Sequence, residues 1–310
     1  MPVDIFKRFY IIPDQFLIFL IGKYKLKGNK MSEIDLHIHT VFSDGTYTPQ
    51  QVVHLAKEIG LTAISITDHD SVKGIEEALE AGKDFGVEVV PGVEVSSDVG
   101  QDEIHILGYY LDWKRKEFLE KLRFFQKTRM ERNDKLLNRL KELGMEIELS
   151  EVSRLAPKGV ISRLHIARCM VRKKYVASID EAFEEWLNPG KPAYVERVRV
   201  SPFEVIALIL DAEGIPVFAH PFLSRRDDLI PRMVDAGLMG IEVYHPAHDE
   251  AIVEHYKEIA RRFDLLITGG SDCHGEAKGE VLMGKIRVPA SILDNLKKAR
   301  SEVAQRVREV

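Results

Sequence analysis

The sequence contains only two cysteines, Cys169 and Cys273, among its 310 residues. A chain of this length buries a sizeable core without covalent cross-links, so we expect both thiols to be reduced, as in cytoplasmic proteins.

A strong charge bias is also absent, because the sequence has 44 Lys and Arg against 49 Asp and Glu, giving a net charge of -5. That balance argues against a broad basic surface, and we expect no stable DNA partner. A phosphorylated substrate stays compatible, since bound cations can supply a local positive field.

The sequence also lacks an uninterrupted apolar run long enough to cross a membrane, and we expect no membrane contact. Its richest stretch, residues 5–21, is broken by two basic residues, a proline and an aspartate. No small-residue cleavage site follows, which argues against a secretory signal. Met31 stands just before the first organised strand. We therefore predict that residues 1–31 are an N-terminal extension that is disordered or not native to the protein.

From residue 33 onwards, short apolar runs alternate with amphipathic helical patterns. The first helix is predicted to begin at Thr48-Pro49 and to end at Gly60, because a capping threonine, an N-terminal proline and a C-terminal glycine are typical helix boundaries. Strands alternating with helices indicate parallel pairing through βα units. The predicted strands are 34–38, 61–67, 87–90, 103–109, 215–219, 240–244 and 265–268.

The middle of the chain breaks this alternation. Residues 114–143 form a long, charged helical pattern, and shorter helical segments follow before a turn at 188–192. Because α/β barrels carry their elaborations on βα loops, we predict that residues 115–190 are a helical insertion over the barrel face. The barrel itself would comprise residues 32–114 and 191–310.

Histidines and acidic residues fall where the predicted strands end. His37 and His39 are two positions apart on the first strand, which places both imidazoles on one side of it. Side chains at the carboxyl ends of parallel strands converge on the catalytic face of a β/α barrel. Such a set exceeds the needs of one tetrahedral zinc, and its mixed N and O donors suit Mn, Fe or Zn in a multinuclear site. The other residues of the set are Asp44, Asp68, His69, Glu94, His105, His220, Asp272 and His274.

A structural role is the ordinary explanation for each of these residues taken singly. A lone histidine at a strand end is more often a hydrogen-bonded core or surface residue than a ligand, and only the clustering favours metal binding. An aspartate after a strand often caps the next helix, which is the role predicted for Asp70. His54 and His255 lie within helical patterns and are predicted to be structural or solvated.

Together, these residues resemble the PHP (polymerase and histidinol phosphatase) family of metal-dependent phosphoesterases over about residues 34–275. Within that family, the chain is most similar to the branch of 3',5'-nucleoside bisphosphate phosphatases and 5'-to-3' exoribonucleases, because of the insertion beginning near 162–165. The motifs that carry the resemblance are Asp35-Leu36-His37-Ile38-His39-Thr40, Ser43-Asp44-Gly45, Thr67-Asp68-His69, Pro91-Gly92-Val93-Glu94, Ala219-His220-Pro221 and Ser271-Asp272-Cys273-His274.

The resemblance implies an α/β fold, a distorted (β/α)7 TIM-like barrel with a helical insertion, and a site for two or three divalent cations. Manganese is the first expectation, with zinc or iron as alternatives. The implied ligand sets are His37, His39, Glu94 and Asp272 for one metal; Glu94, His105 and His220 for a second; and Asp44, His69 and His274 for the third.

The resemblance further implies hydrolysis of nucleotide phosphomonoesters, above all the 3'-phosphate of nucleoside 3',5'-bisphosphates, with RNA 5' ends as a further substrate. Glu94 would bridge two cations, Asp272 would orient the attacking group, and Asp68 is a third catalytic candidate. Basic residues in an insertion are usually solvated, so substrate contacts carry over more weakly. The positions that match them are Arg163, Lys191, His165 and His248.

Three other functions use a similar set of residues. A phosphatase for histidinol phosphate would keep the same metals and differ in its pocket. A metal-binding but non-catalytic module, like some barrels attached to DNA polymerases, is disfavoured by the complete ligand set. An amidohydrolase-like enzyme often needs a carboxylated lysine or another ligand spacing, for which the sequence offers no candidate.

Overall fold

The computed structural model describes residues 33–196 and 200–308; the predicted extension at 1–31 lies outside them. Within those ranges, seven strands form one sheet in chain order. The backbone N–H of His39 donates to the Cys273 carbonyl at 2.9 Å, which brings the segment after the last strand back to the first. The predicted seven-stranded α/β fold is thereby confirmed. The strands are β1 (Glu33–Ile38), β2 (Leu61–Ile66), β3 (Glu88–Val99), β4 (Asp102–Tyr109), β5 (Ile215–Phe218), β6 (Gly240–Tyr244) and β7 (Leu266–Gly269).

Strand β4 runs against its neighbours, so the prediction of parallel pairing throughout is wrong at this strand. It pairs antiparallel with both β3 and β5, whereas the remaining neighbours pair in parallel. A two-residue loop, Gly100-Gln101, joins β3 to β4, and so short a connection permits only a hairpin. An antiparallel strand begins at the edge where parallel strands end. His105, in the first half of β4, therefore reaches the same edge as the other predicted ligands.

Helices cover the outside of the sheet and form the connection between β4 and β5. The first helix begins and ends as predicted: Thr48 and Gln51 form a capping box, and Gly60 adopts φ 86°. None of the described helices is both long and apolar enough to span a membrane. The helices are α1 (Pro49–Ile59), α2 (Ile75–Phe85), α3 (Lys116–Glu142), α4 (Leu149–Ser153), α5 (Arg163–Arg172), α6 (Ile179–Ala182), α7 (Pro202–Asp211), α8 (Pro221–Ser224), α9 (Ile230–Asp235), α10 (Glu250–Phe263) and α11 (Ser291–Arg308), with a π-helical turn at Phe183–Leu187 and a 3-10 turn at Asp227–Leu229.

The long helix α3 contributes to two hydrophobic clusters. Its first half places Phe118 and Leu122 in the large cluster around β3, β4 and α7. Its second half places Leu136 and Leu140 in a separate cluster, whose buried members all come from residues 136–193. The segment between β4 and α7 thus packs around a core of its own while α3 anchors it on the barrel. Both cysteines are free and buried.

Candidate metal centre and active site

The two histidines of β1 form the floor of the site. His37 and His39 are fully buried, and their ring centroids lie 5.2 Å apart. A Cβ added at Gly270 would lie 2.2 Å from the Cβ of His37, so the loop after β7 approaches β1 only because that residue is glycine. This close approach carries Asp272, at φ 49°, towards both histidines. Its Oδ1 lies 3.1 Å from His39 Nε2 and 3.6 Å from His37 Nε2.

In the part of the chain that the structure describes, three groups of side chains place their donor atoms within 4.8 Å of one another. Glu94 belongs to two of these groups, consistent with the bridging position predicted for it. His220 belongs to none of them, but its Nε2 lies 2.9 Å from Glu94 Oε1, the oxygen that also lies 2.8 Å from His105 Nδ1. All nine predicted metal ligands therefore meet in one cluster. The groups are His37, His39, Glu94 and Asp272; His39, Asp44, His69 and His274; and His69, Glu94 and His105.

Unsatisfied polar atoms in the cluster test whether it fits metal ions. Among the described residues, six buried donor or acceptor atoms of predicted ligands make no hydrogen bond: His37 Nε2, His39 Nε2, Asp44 Oδ1, His69 Nδ1, Glu94 Oε2 and His105 Nε2. Leaving buried polar atoms unpaired is costly, so this concentration needs a compensating partner. Imidazole nitrogens mixed with carboxylate oxygens are donors that divalent transition metals accept. The residues present therefore fit a site for divalent cations.

The buried histidines and carboxylates of the cluster shift one another's pKa values. Burial lowers the pKa of His39, but the neighbouring carboxylates of Asp272 and Glu94 outweigh burial and raise that pKa to about 9. Burial likewise opposes the charged form of His105, and Glu94 and Glu103 raise its pKa to about 10. Burial would raise the pKa of Glu94, but the surrounding histidines hold it well below its usual range. Metal ions entering the cluster would replace the protons on these histidines.

The sequence prediction missed two polar residues that follow or lie on β6. Glu242 is fully buried, and its Oε1 lies 3.0 Å from His37 Nδ1. His245 lies just beyond β6, and its Nε2 is 3.9 Å from Asp272 Oδ2. Glu242 gave no signal in the sequence, because it lies inside a strand. His245 could have been found, because it occupies the same strand-end position as the ligands that were identified.

Asp68, predicted to be catalytic, lies outside all three groups. Its carboxylate accepts hydrogen bonds from the Thr40 backbone N–H at 2.7 Å, the Thr40 hydroxyl at 2.6 Å and the Ser43 hydroxyl at 2.5 Å. Both of its carboxylate oxygens thus accept hydrogen bonds from residues after β1. The contacts fix the loop that carries Asp44. These contacts favour a positioning role for Asp68, and its catalytic role stays a prediction.

A cavity of about 590 Å³ opens beside the cluster. The ligands Asp44, His69, His105 and His274 form one part of its lining. Helices α5 and α6 and the turn after them contribute an apolar part, and three cationic side chains complete the wall. The apolar residues are Leu164, Val171, Ile179 and Phe183, and the cations are Arg129, Arg163 and Lys278.

Of the four predicted substrate-contacting residues, only Arg163 lines this cavity. It pairs with Glu103, and its guanidinium lies 5.6 Å from the ring centroid of Phe183. His165 is buried, and its Nδ1 accepts the Ser162 backbone N–H at 3.1 Å. Its Nε2 makes no hydrogen bond among the described residues, and the substrate contact of His165 stays a prediction.

Lys191 and His248 also lie away from the lining. The Nζ of Lys191 is 3.9 Å from Glu185 Oε2. His248 is buried, and its Nδ1 donates to the Val243 carbonyl at 2.8 Å. Neither residue lines the cavity, and the substrate contacts of both stay predictions.

The family model of the PHP domain matches residues 35–196, more than half of the chain. The chain belongs to the PHP family. This PHP protein has a fold like that of a protein from Bifidobacterium adolescentis assigned as a metal-dependent phosphoesterase, with a TM-score of 0.79 and 30% identity over 87% of this chain and 96% of that one. The barrel and its elaborations thus follow the architecture of the family.

Three curated relatives of this PHP protein are named for phosphoester hydrolysis. It is 32% identical to the 3',5'-nucleoside bisphosphate phosphatase of Chromobacterium violaceum, over 80% of this chain and 90% of the relative. It is 31% identical to the phosphoribosyl 1,2-cyclic phosphate 1,2-diphosphodiesterase of Eggerthella lenta, over 83% of this chain and 99% of the relative. It is 30% identical to the 5'-3' exoribonuclease Rnm of Escherichia coli, over 83% of this chain and 90% of the relative. The PHP protein is accordingly a hydrolase of the phosphoesterase class.

Proposed function

We propose that this PHP protein removes the phosphate from phosphomonoesters of nucleotides, with the 3'-phosphate of a nucleoside 3',5'-bisphosphate as its preferred target. The observation that carries the proposal is the shared cavity, in which predicted metal ligands and the insertion residue Arg163 line one space. A phosphate beside the ligands would lie within the same enclosure as a cationic side chain. The curated relative with 32% identity is named for this activity, which supports the choice of substrate.

In the proposed hydrolysis, the bound cations and the residues around them have different roles. Divalent cations bound there would activate water and neutralise phosphate charge, with Mn²⁺ proposed first and Zn²⁺ or Fe²⁺ as alternatives. Glu94 ties the ligand groups together, and Asp272 orients the attacking group from beside His39. Arg163 would bind non-bridging phosphate oxygens, where charge accumulates during phosphoryl transfer.

The composition of the cavity wall favours a nucleotide over a small phosphoester that has no base or ribose. Its volume of about 590 Å³ lies within the range typical of small-molecule sites. The apolar side chains Leu164, Ile179 and Phe183 offer a surface for a nucleobase and ribose, while Arg163 and Lys278 offer positive charge. Aromatic side chains beside cations are also how single-stranded nucleic acids are held, so a short RNA 5' end is a further proposed substrate.

The test compares phosphate release from three substrates with Mn²⁺ present: adenosine 3',5'-bisphosphate, histidinol phosphate and adenosine 5'-monophosphate. The proposal predicts clear preference for the bisphosphate in kcat/KM. Preference for histidinol phosphate would retain the metal centre but overturn the nucleotide substrate. No release from any of the three, by protein shown to contain its metal ions, would contradict the phosphomonoesterase and favour cleavage of RNA or a non-catalytic domain.

A further inference from the structure

Lys278 lines the cavity and adds positive charge there, but the sequence pattern does not single it out and no specific contact has been assigned to it. Its Nζ lies 3.0 Å from Asp272 Oδ2. The other oxygen of that carboxylate, Oδ1, faces His39 Nε2 at 3.1 Å and belongs to the metal-ligand side. The two oxygens of Asp272 thus have different partners, one in the ligand cluster and one on the cavity wall.

A short turn holds Lys278 in this position. The Ala277 N–H donates to the His274 carbonyl at 3.3 Å, and the Gly279 N–H donates to the Glu276 carbonyl at 3.1 Å. The Glu276 N–H donates to Thr46 Oγ1 at 2.9 Å, which ties the turn to the loop after β1. Lys278 is therefore anchored to two of the loops that carry ligands of the His39, Asp44, His69 and His274 group, the loop after β1 with Asp44 and the loop after β7 with His274.

The other two cations of the cavity pair with carboxylates that are not predicted metal ligands. Arg129 is buried and donates to Asp70 at 3.1 and 2.5 Å and to Ser96 at 2.7 Å. Arg163 pairs with Glu103. Lys278 differs because its partner, Asp272, is a predicted metal ligand. It also keeps 41% of its side chain exposed.

We propose that Lys278 binds the phosphate group of the substrate, and that divalent metal bound at Asp272 makes its charge available for this. This inference rests on the proposed function and adds a residue to it. A divalent cation at Oδ1 would partly neutralise the carboxylate of Asp272. Oδ2 would then offset less of the positive charge on the Lys278 ammonium group. The ammonium is a compact point charge on a flexible stem, which suits a phosphate oxygen next to the metal ions. Metal binding and anion binding are thereby coupled through one carboxylate.

The alternative is that Lys278 only positions Asp272 for the metal. The two roles differ in what they do to manganese content. Loss of a phosphate-binding lysine leaves metal binding intact and weakens the binding of phosphate. Loss of a positioning lysine weakens the binding of the metal ions first.

The experiment measures the affinity of the Mn²⁺-loaded protein for inorganic phosphate by calorimetry, together with manganese content, in Lys278→Met, Lys278→Arg and Lys285→Met. Lys285 is the matched control, since it is 39% exposed, pairs with Glu280 and does not line the cavity. A charge-assisted hydrogen bond corresponds to about a ten- to hundredfold change in Kd. We expect that loss in Lys278→Met, with unchanged manganese content, while Lys278→Arg and Lys285→Met stay within about threefold of wild type.

The same measurement on the metal-free protein is the second part of the experiment. In that protein, Lys278→Met should change phosphate affinity much less than it does in the Mn²⁺-loaded protein, because Asp272 already neutralises the ammonium group. Unchanged phosphate affinity in loaded Lys278→Met overturns the inference, and so does a loss fully explained by lower manganese content. Because inorganic phosphate is the probe, these outcomes do not depend on which phosphoester is hydrolysed, and a failure of the proposed substrate is distinguishable from a failure here.

Discussion

Glu242 lies against His37, with Oε1 3.0 Å from Nδ1, on the edge of the imidazole that faces away from Glu94 and Asp272. Its other oxygen accepts the backbone N–H of His220 at 2.8 Å. One buried carboxylate thus orients the ring of one predicted ligand and fixes the backbone of another. Carboxylates that hold the second nitrogen of a ligating histidine set its tautomer and direction.

Replacing Glu242 by Gln should weaken metal binding by about ten- to hundredfold, because the amide keeps the shape but loses the charge that orients His37. The measurement is a Mn²⁺ titration of chelator-treated protein. Glu250→Gln, at the exposed start of α10, is the matched control and should bind Mn²⁺ like wild type. Wild-type affinity in the Glu242 variant would show that His37 does not need this carboxylate.

Replacing Asp272 by Asn should lower kcat by about a hundredfold or more without unfolding the protein, because one oxygen and the charge shared by His37 and His39 are lost. Turnover with Mn²⁺ and the melting temperature are measured on the same preparation. Near-wild-type turnover in a folded variant would remove Asp272 from the catalytic assignment.

Replacing Arg163 by Ala should raise KM for a nucleotide bisphosphate by about tenfold or more, because a charge-assisted hydrogen bond to phosphate is lost. Arg172→Ala, at the exposed end of the same helix, is the control. Since Arg163 pairs with Glu103, the effects of Arg163→Ala and Glu103→Gln should not add in the double variant. Unchanged steady-state kinetics in Arg163→Ala would place this residue among ordinary surface cations.

His165 predicts a pH dependence of stability. Burial, with Arg168 and Arg129 nearby, lowers its pKa from 6.5 to about 4. A histidine kept neutral in the folded state contributes stability that is fully present above pH 6.5 and is lost as the pH falls from 6.5 towards 4. The contribution is up to about 3 kcal/mol.

The variant His165→Gln separates this titration from the fold of helix α5. Glutamine can still accept the Ser162 N–H that His165 Nδ1 accepts at 3.1 Å, so the capping box is retained. Between pH 6.5 and 4.5, the melting temperature of wild type should fall more steeply than that of the variant. Parallel curves would mean that His165 titrates alike in the folded and unfolded protein.

The sequence predicts the barrel and the nine clustered ligands because both follow from a repeated local pattern, an apolar strand ending in His, Asp or Glu. It does not predict the direction of β4, since Pro91-Gly92 resembles the end of a strand although β3 continues to Val99. The signal for the hairpin was the two-residue loop Gly100-Gln101.

Contacts between distant residues are what the sequence pattern could not supply. The pairing of Glu242 with His37 joins positions 205 residues apart. Lys278 lies six residues from Asp272, yet its place on the cavity wall depends on how the turn folds onto Thr46. Asp68 shows that a carboxylate at a strand end can also hold the neighbouring loop through hydrogen bonds. Whether a strand-end polar side chain faces the centre is decided by tertiary packing.

The most direct test of the account is phosphate release from adenosine 3',5'-bisphosphate by chelator-treated protein as Mn²⁺ is added back, with bound manganese counted in parallel. We predict no turnover without metal, and recovery as two to three ions bind per chain, one for each ligand group occupied. Full turnover by metal-free protein, or a fully manganese-loaded protein that releases no phosphate, would contradict the assignment of this cluster as the catalytic centre of a phosphomonoesterase.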